Sequence, residues 1–445
     1  MLFPKKIKSI FKSKYVIPSF HQLSVCDQKG RVFLYKGKVY RAIFPSFEKE
    51  ILDLLNSKMF QELVALGWFP KTRISSKKVE GFNLVLSHEK LLSSEQTEWC
   101  FSSLKESVLF LLKLEQFLNR YDYQLWDGHL YNVLFKNNKP LFIDLGSIQK
   151  KTKSSVFYNE ILYLSIYPLV LLSQNERFLA RSILTYHNFM RTIPAQQIEQ
   201  SEAVQKIIEA FFKKNKLPYD LNCFYDTLFL EKYLTPPEKE ETLWGEYQTD
   251  FYENQNLGRF KRYALIDRYI QKYTKKRRAS VLDLAGNQGA LLFYLEEKNK
   301  EKYTFLTNVD YDENAIEASK RILIEKGSKV SSYLFNFMLP KRALYKDFKH
   351  DVVLALAITH HLVLSQKFHI DAVFEQIKRY ANKLVFIEFM PLGLWDGKTA
   401  PALPDWYTYD WFKIHFKKHF KLLKIKEVEK NRILFVGKVK KEETK

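Results

Sequence analysis

Cysteine is nearly absent: Cys26, Cys100 and Cys223 are the only three in 445 residues. An odd count with no Cys-x-x-Cys pair argues against a disulfide framework and for a cytoplasmic setting. No zinc-type spacing of Cys and His occurs, so no metal centre is expected. Long hydrophobic runs are also missing. The longest, Ile161–Leu172, is internal and far shorter than the roughly 20 apolar residues of a membrane-spanning helix. Lys5, Lys6, Lys8, Lys12 and Lys14 crowd the first 14 residues, but no apolar core of signal-peptide length follows, so no secretory leader is expected. The dinucleotide fingerprint Gly-x-Gly-x-x-Gly and any internal repeat are absent as well.

What is abundant is positive charge. The formal net charge is +21 and the pI about 9.4. Residues 413–445 alone hold 12 Lys/Arg against 4 Glu. Such a field attracts nucleic acid or anionic surfaces, and aromatics at 16% could stack on bases. Yet the basic residues are scattered and no RNA-recognition module is visible. A nucleic-acid acceptor therefore stays open as an alternative and is not favoured.

The most informative stretch is 279–310. Val281–Leu284 reads as a buried strand, Ala290–Glu297 as a helix, and a second apolar strand ends in Asp310. Between strand and helix stands Asp283-Leu-Ala285-Gly286-Asn-Gln-Gly289. Glycines here permit positive φ and let a ligand lie against the backbone. An acid replaces the first glycine of the dinucleotide pattern, so a pyrophosphate would meet negative charge and a cationic ligand would not. Asp310 lies 21 residues beyond Gly289, where a carboxylate can accept from both ribose hydroxyls.

This pattern resembles the class I (Rossmann-like) methyltransferases that use S-adenosylmethionine (SAM). The resemblance implies an α/β fold with a seven-stranded sheet. Its further strands would be Ser331–Phe337, Asp351–Ala357 and Leu384–Glu388, closed by the hairpin Phe420–Val428 and Arg432–Val439. It implies SAM as cofactor, held by Asp283, Ala285, Gly286, Gly289, Asp310, Tyr311 and Asn336, the last beside the adenine.

Methyl transfer to oxygen needs a base near neutral pKa. Thr359-His360-His361 follows the fourth strand, so His360 or His361 is the candidate base, though adjacent histidines cannot both face the pocket. The Asn/Asp-Pro-Pro-Tyr/Phe signature of many amino methyltransferases is missing. All cysteines lie outside this half, which argues against a cysteine nucleophile. Glu388 either binds substrate or caps a loop. Trp395, Trp406, Tyr407 and Trp411 form either a lid or, preferably, aromatic core.

The first half carries Trp126-Asp127-Gly-His129-Leu-Tyr-Asn132, then Asp144-Leu-Gly146-Ser147. The spacing resembles the catalytic and metal loops of protein-kinase-like phosphotransferases. There, residues at the positions of Asp127, Asn132 and Asp144 orient a hydroxyl and hold Mg²⁺ with ATP. Leu104–Leu118 would be the buried helix before the loop, and Val133–Phe135 with Leu141–Ile143 a hairpin between the two loops. The pattern departs in lacking a glycine-rich phosphate loop, and Arg41 stands where lysine is usual, within a Phe33–Phe44 hairpin. Glu50 or Glu62 would pair with Arg41. The expected domain is α+β, kinase-like and degenerate.

The layout as a whole resembles nodulation host-specificity-type methyltransferases. The expected division is 1–235 for the N-terminal domain, 236–259 for a linker that covers the cofactor (Tyr247 a lid candidate), and 260–440 for the methyltransferase, with a helix at 260–274. The expected activity is methylation of O or N on a small-molecule or glycan-like acceptor. RNA methylation, a bifunctional or pseudo-kinase–methyltransferase and a non-catalytic SAM-binding module are the alternatives.

Overall fold

A computed structural model describes residues 16–21, 24, 27–152, 155–189, 195–237, 257–275, 277–339, 348–395 and 397–440. The lysines of residues 1–14, Cys26, Tyr247 and most of the 236–259 leader lie outside the described residues.

The N-terminal half begins with an antiparallel sheet of β1 (Gly30–Tyr35), β2 (Lys38–Ile43), β3 (Thr72–Ile74) and β4 (Leu84–His88), in the order β1-β2-β4-β3. Lys36 and Gly37 take positive φ in the two-residue turn between β1 and β2, which suits a hairpin of this twist. The helix Phe101–Asn119 comes next. Leu104, Val108, Leu111, Leu114 and Leu118 repeat every three or four residues and are all buried, so one complete face joins the core. Burial of each such side chain contributes roughly 1.5–3 kcal/mol. Two small antiparallel pairs follow. β5 (Tyr123–Leu125) pairs with β8 (Ile148–Lys150), and β6 (Val133–Lys136) with β7 (Lys139–Phe142). Helices then run from Phe157 to Tyr233.

The C-terminal half is built on seven strands: β9 (Ala279–Leu284), β10 (Tyr303–Asp310), β11 (Ser331–Leu334), β12 (His350–Ala355), β13 (Ala381–Phe389), β14 (Phe420–Glu429) and β15 (Arg432–Val439). Their order is β11-β10-β9-β12-β13-β15-β14. The first five are parallel, and β15 runs antiparallel between β13 and β14. Strand order reverses beside β9. The crevice outside the carboxyl ends of β9 and β12 is therefore the topological switch point, where open α/β sheets take ligands.

Two expected strands end early. β11 stops at Leu334, whose pairing with Asp310 ends on the bond from Phe335 N to the Asp310 carbonyl (2.7 Å), because Asn336 then turns the chain, its side chain accepting from Met338 N (3.0 Å). β12 stops at Ala355, ahead of Ala357 at φ 51°. The leader helix begins earlier than expected, spanning Leu257–Tyr273.

The two halves share a core that runs from Trp99 and Phe135 to Tyr333 and Phe335. Polar contacts tie them across the helix Glu313–Glu325. Lys320, 2% exposed, pairs with Glu106 (3.0 Å) and donates to the Asn138 carbonyl (2.9 Å). Asn138 Nδ2 donates to the carbonyls of Ser328 (3.1 Å) and Val330 (2.8 Å). Arg181 pairs with Glu313 (2.6 Å), and Ser102 Oγ donates to Glu317. Among the described residues no helix is long and apolar enough to cross a membrane.

Candidate functional site

The turn after β9 is shaped by close approach. A Cβ on Gly286 would stand 2.2 Å from Asn308 Oδ1 and 2.8 Å from the Asp283 carboxylate, so no larger residue fits. Ala285, Asn287 and Gly289 all take positive φ, at 59°, 53° and 80°. Three such residues in five hold the chain in a tight left-handed bend before the helix Ala290–Asn299. A non-glycine residue is held in that region only by its surroundings.

Asp310 sits across the bend. Its carboxylate accepts from Asn287 N (2.9 Å) and Asp312 N (3.0 Å). Each oxygen keeps a further lone pair, so the group can still receive a diol. Burial pushes the Asp310 carboxyl up to about 6, partly offset by those two amides. Asp283 is more extreme. Burial raises it to about 8 against the lowering pull of Arg262, with Asp310 and Glu388 adding repulsion.

A cavity opens beside this turn. Ala285, Asp310, Tyr311, Asn336, Met338 and Ile358 contribute to its wall, with Phe337. An acid at one end and apolar or aromatic walls beyond match a ribose with a flat base. Four sequence-derived positions thus line one space: Ala285, Asp310, Tyr311 and Asn336, while Gly286 belongs to the turn beside it. Gly289 shapes the turn, and Asp283 lies buried beneath it.

Ile358 and Leu362 line the same cavity from either side of the histidine pair, although neither histidine ring is part of that wall. His360 is 5% exposed and its Nδ1 is buried without a hydrogen-bond partner. Burial, then His361 and Arg432, lower it to about 3. His361 is half-buried, lowered by burial alone, and opens the π-helical turn His361–Ser365. Such turns are frequent at functional sites.

Glu388 is fully buried. Arg432 Nη1 donates to it at 2.9 Å and Arg262 Nη1 stands 4.0 Å away. Tyr407 and Trp411 pack with Phe389 and Phe412, while Trp406 stays 49% exposed. Sequence reading missed Asn308, which is fully buried and donates to the Asn287 carbonyl (2.7 Å). An amide inside an otherwise apolar strand was its one signal. It also missed the guanidinium pair around Glu388, whose members are far apart in sequence.

In the N-terminal half, Asp127, Asn132 and Asp144 do come together. Asn132 Nδ2 donates to Asp127 Oδ1 (2.7 Å), as does Ser147 Oγ (2.9 Å). Arg41 does not pair with Glu50 or Glu62. It bridges Asp27 (2.9 Å) and Asp144 (3.2 Å), while Glu50 takes Lys29 and Glu62 accepts from Tyr121. β2 carries Arg41 toward the two loops, away from the helices that hold both glutamates.

Strand order and the β9 turn give the C-terminal half the class I methyltransferase fold. No family model matches the chain. The nodulation protein NoeA of Rhizobium meliloti (strain 1021) is 22% identical over 334 residues, spanning 66% of this chain and 68% of that protein. Solved structures of similar fold include the following three. Magnesium protoporphyrin IX methyltransferase of Synechocystis PCC 6803 with bound SAM is 10% identical and covers 45% of this chain and 86% of its own (TM-score 0.33). A SAM-dependent methyltransferase of Aquifex aeolicus is 15% identical and covers 43% and 98% (TM-score 0.32). The N-methyltransferase NodS of Bradyrhizobium japonicum WM9 is 11% identical and covers 42% and 98% (TM-score 0.31).

Proposed function

We propose that the protein is a SAM-dependent methyltransferase acting on oxygen or nitrogen of a small-molecule or glycan-like acceptor. The observation that carries this is Asp310, whose buried carboxylate faces a cavity with apolar walls beside the Gly286 turn. The cofactor would supply an electrophilic methyl group. Asp310 would hold its ribose hydroxyls, Asn336 and Met338 its base, and the backbone around Gly286 its amino-acid end. Asp283, raised by burial, would become a carboxylate once a positive charge lies above it.

On the acceptor side the chain has to orient the nucleophile and accept its proton. His361 is the better base, because His360 is buried and held near 3, too weak to draw a proton from a hydroxyl. The glycan-like acceptor class rests on the layout shared with nodulation host-specificity-type enzymes and on the likeness to NoeA. In this reading residues 1–235 are a kinase-like, catalytically silent unit, 236–259 a leader over the cofactor, and 260–440 the methyltransferase. A nucleic-acid acceptor is less favoured. Exposed Lys421, Lys424 and Lys426 lie on β14, the edge of the sheet, where lysines ordinarily block unwanted strand pairing.

The test is profiling of cell extract with methyl-labelled SAM, comparing wild type with Asp310→Ala. Wild type should label a small-molecule or glycan product and the variant should not. Equal labelling by both proteins would overturn the pocket. Label in tRNA, with binding that weakens steeply as salt rises, would transfer the activity to RNA. SAM binding with no S-adenosylhomocysteine formed in any extract would leave a sensing module.

A further inference from the structure

The N-terminal cluster gathers four acids: Asp27, Asp127, Asp144 and Glu160. Their spacing invites a divalent cation, yet each carboxylate already has a partner within the chain. Arg41 Nη1 stands 2.9 Å from Asp27 Oδ2 and 3.2 Å from Asp144 Oδ1, and the arginine is 7% exposed. Its Nη2 reaches the Ile143 carbonyl at 3.4 Å. Gly146 N also donates to Asp144 Oδ1 (2.9 Å). The other basic partner is His129, whose Nε2 lies 3.3 Å from Asp127 Oδ2. Glu160 accepts from Gly128 N (3.1 Å). Asn132 turns its amide nitrogen toward Asp127, which is the wrong end of the side chain for a cation held between them.

Mg²⁺ takes near-octahedral oxygens at about 2.0–2.1 Å and keeps several waters. Here a guanidinium lies between the acids, and it cannot lose its charge in a protein. Among the described residues no group of three or more His, Cys, Asp or Glu is arranged to hold a metal ion. The Mg²⁺ that the kinase-like resemblance implies therefore does not fit.

We propose that Arg41 is the permanent cation of this cluster, standing in for a divalent metal and making the N-terminal half a metal-independent unit that does not transfer phosphate. Three links support it. β2 buries Ala42 and Ile43 beside Arg41 and so fixes the side chain's origin. The bridge closes contacts more than a hundred residues apart, between the first sheet and the Asp144 loop. His129 Nε2, 3.3 Å from Asp127 Oδ2, gives the remaining loop carboxylate a partner of its own within the chain. This inference does not depend on the methyl-transfer reading, and either can fail without the other.

The experiment is titration of the full-length protein with Mn²⁺, followed by electron paramagnetic resonance and by thermal melting. Wild type should bind no Mn²⁺ tighter than millimolar, retain no ATP with it, and melt at an unchanged temperature. Arg41→Met removes the charge but keeps an apolar stem. The uncovered acids should then bind Mn²⁺ at least tenfold tighter than wild type, and the metal should raise the variant's melting temperature. Arg41→Met with Asp144→Asn should lose that gain. Stoichiometric micromolar Mn²⁺ or Mn²⁺-dependent ATP binding by wild type would overturn the proposal. So would Arg41→Met binding no more tightly than wild type. If Arg41→Met cannot be recovered folded, the wild-type titration decides alone by the same two results.

Discussion

Two acid-rich turns sit at strand ends in this molecule, and they are opposites. Around Gly286, Asp283 and Asp310 are buried; Arg262 lowers Asp283 and stands 4.0 Å from Glu388, while Arg432 pairs with Glu388. Asp310 is held by backbone amides alone, and a cavity opens beside it. Around Gly146, Asp27 and Asp144 are partly buried with Arg41 between them. Burial raises Asp283, Asp310 and Asp144 alike. The difference lies in who supplies the compensating group. A buried carboxylate left to backbone donors keeps capacity for a ligand, whereas one already bridged by an internal cation is finished structure.

The sharpest way to break the comparison is to put a methyl group into each turn. Gly286→Ala places Cβ 2.2 Å from Asn308 Oδ1, a clash that the buried amide and the Asp283 carboxylate leave no room to relieve. SAM binding, read by calorimetry, should fall at least about 100-fold, with overpacking of about 1–3 kcal/mol lowering the melting temperature. Gly146→Ala brings Cβ to 3.0 Å from Asp27 Oδ1 and 3.2 Å from Asp144 Oδ1. It should leave SAM affinity within about twofold, since its neighbours serve no ligand. Equal losses from both changes would erase the distinction.

Removing one charge from each turn is the next test. Asp310→Asn replaces a charged acceptor with an amide that presents one acceptor and one donor. Hydrogen bonds to charged groups are worth about 1.5–3 kcal/mol, so SAM should bind about 10–100-fold more weakly. Asp144→Asn should leave label transfer within about twofold, because Arg41 keeps Asp27. A methylation loss in Asp144→Asn as large as in Asp310→Asn would make the N-terminal turn part of the catalytic apparatus.

Stability against pH offers a third contrast. Asp283 has a native pKa near 8, above its ordinary 3.8, because burial penalises its charge. A raised acid contributes stability that is complete below about pH 4 and is lost as pH climbs through about 8. The slope is at most about 1.4 kcal/mol per pH unit for one proton. Asp283→Asn removes that titration. Without ligand, the variant should therefore melt above wild type at pH 8, with the gain shrinking toward pH 4. Parallel melting curves across this range would mean that Asp283 is already ionised and paired.

Much of the open turn was legible from residue types alone. Asp283, Gly286, Gly289 and Asp310 stand at spacings that only a strand–turn–helix–strand unit makes sense of, and the apolar runs of 351–357 and 384–388 lie in adjacent parallel strands. Strand ends were less legible. The stops at Leu334 and Ala355 depend on the turn at Asn336, whose side chain accepts from Met338 N, and on a left-handed Ala357, neither of which follows from hydrophobic pattern. The closed turn was legible as a spacing and misleading as chemistry. Asp127, Asn132 and Asp144 announce a metal loop, but the cation that answers them comes from β2, and Asp27 precedes the whole motif. Arg41 could be seen as an oddity in sequence; its partners could not.

The smallest expected effect joins the two halves. Arg181, in the helix Arg177–Phe189, pairs with Glu313 at 2.6 Å, both side chains about one-fifth exposed. Glu313 begins the helix that follows Asp310, Tyr311 and Asp312, and Asp312 caps that helix by accepting from Asn314 N and Ala315 N. The N-terminal half therefore grips the element that sets the ribose acid. A partly exposed pair of this kind contributes about 1 kcal/mol at most. Part of that goes into holding the 310–313 turn, so Arg181→Gln should weaken SAM binding about two- to fivefold. Glu313→Gln should do the same, and the double variant should be no worse than either, since both remove one interaction. Additive losses would mean that each residue acts separately. No loss at all would mean that the closed half carries the open one without touching its ligand site.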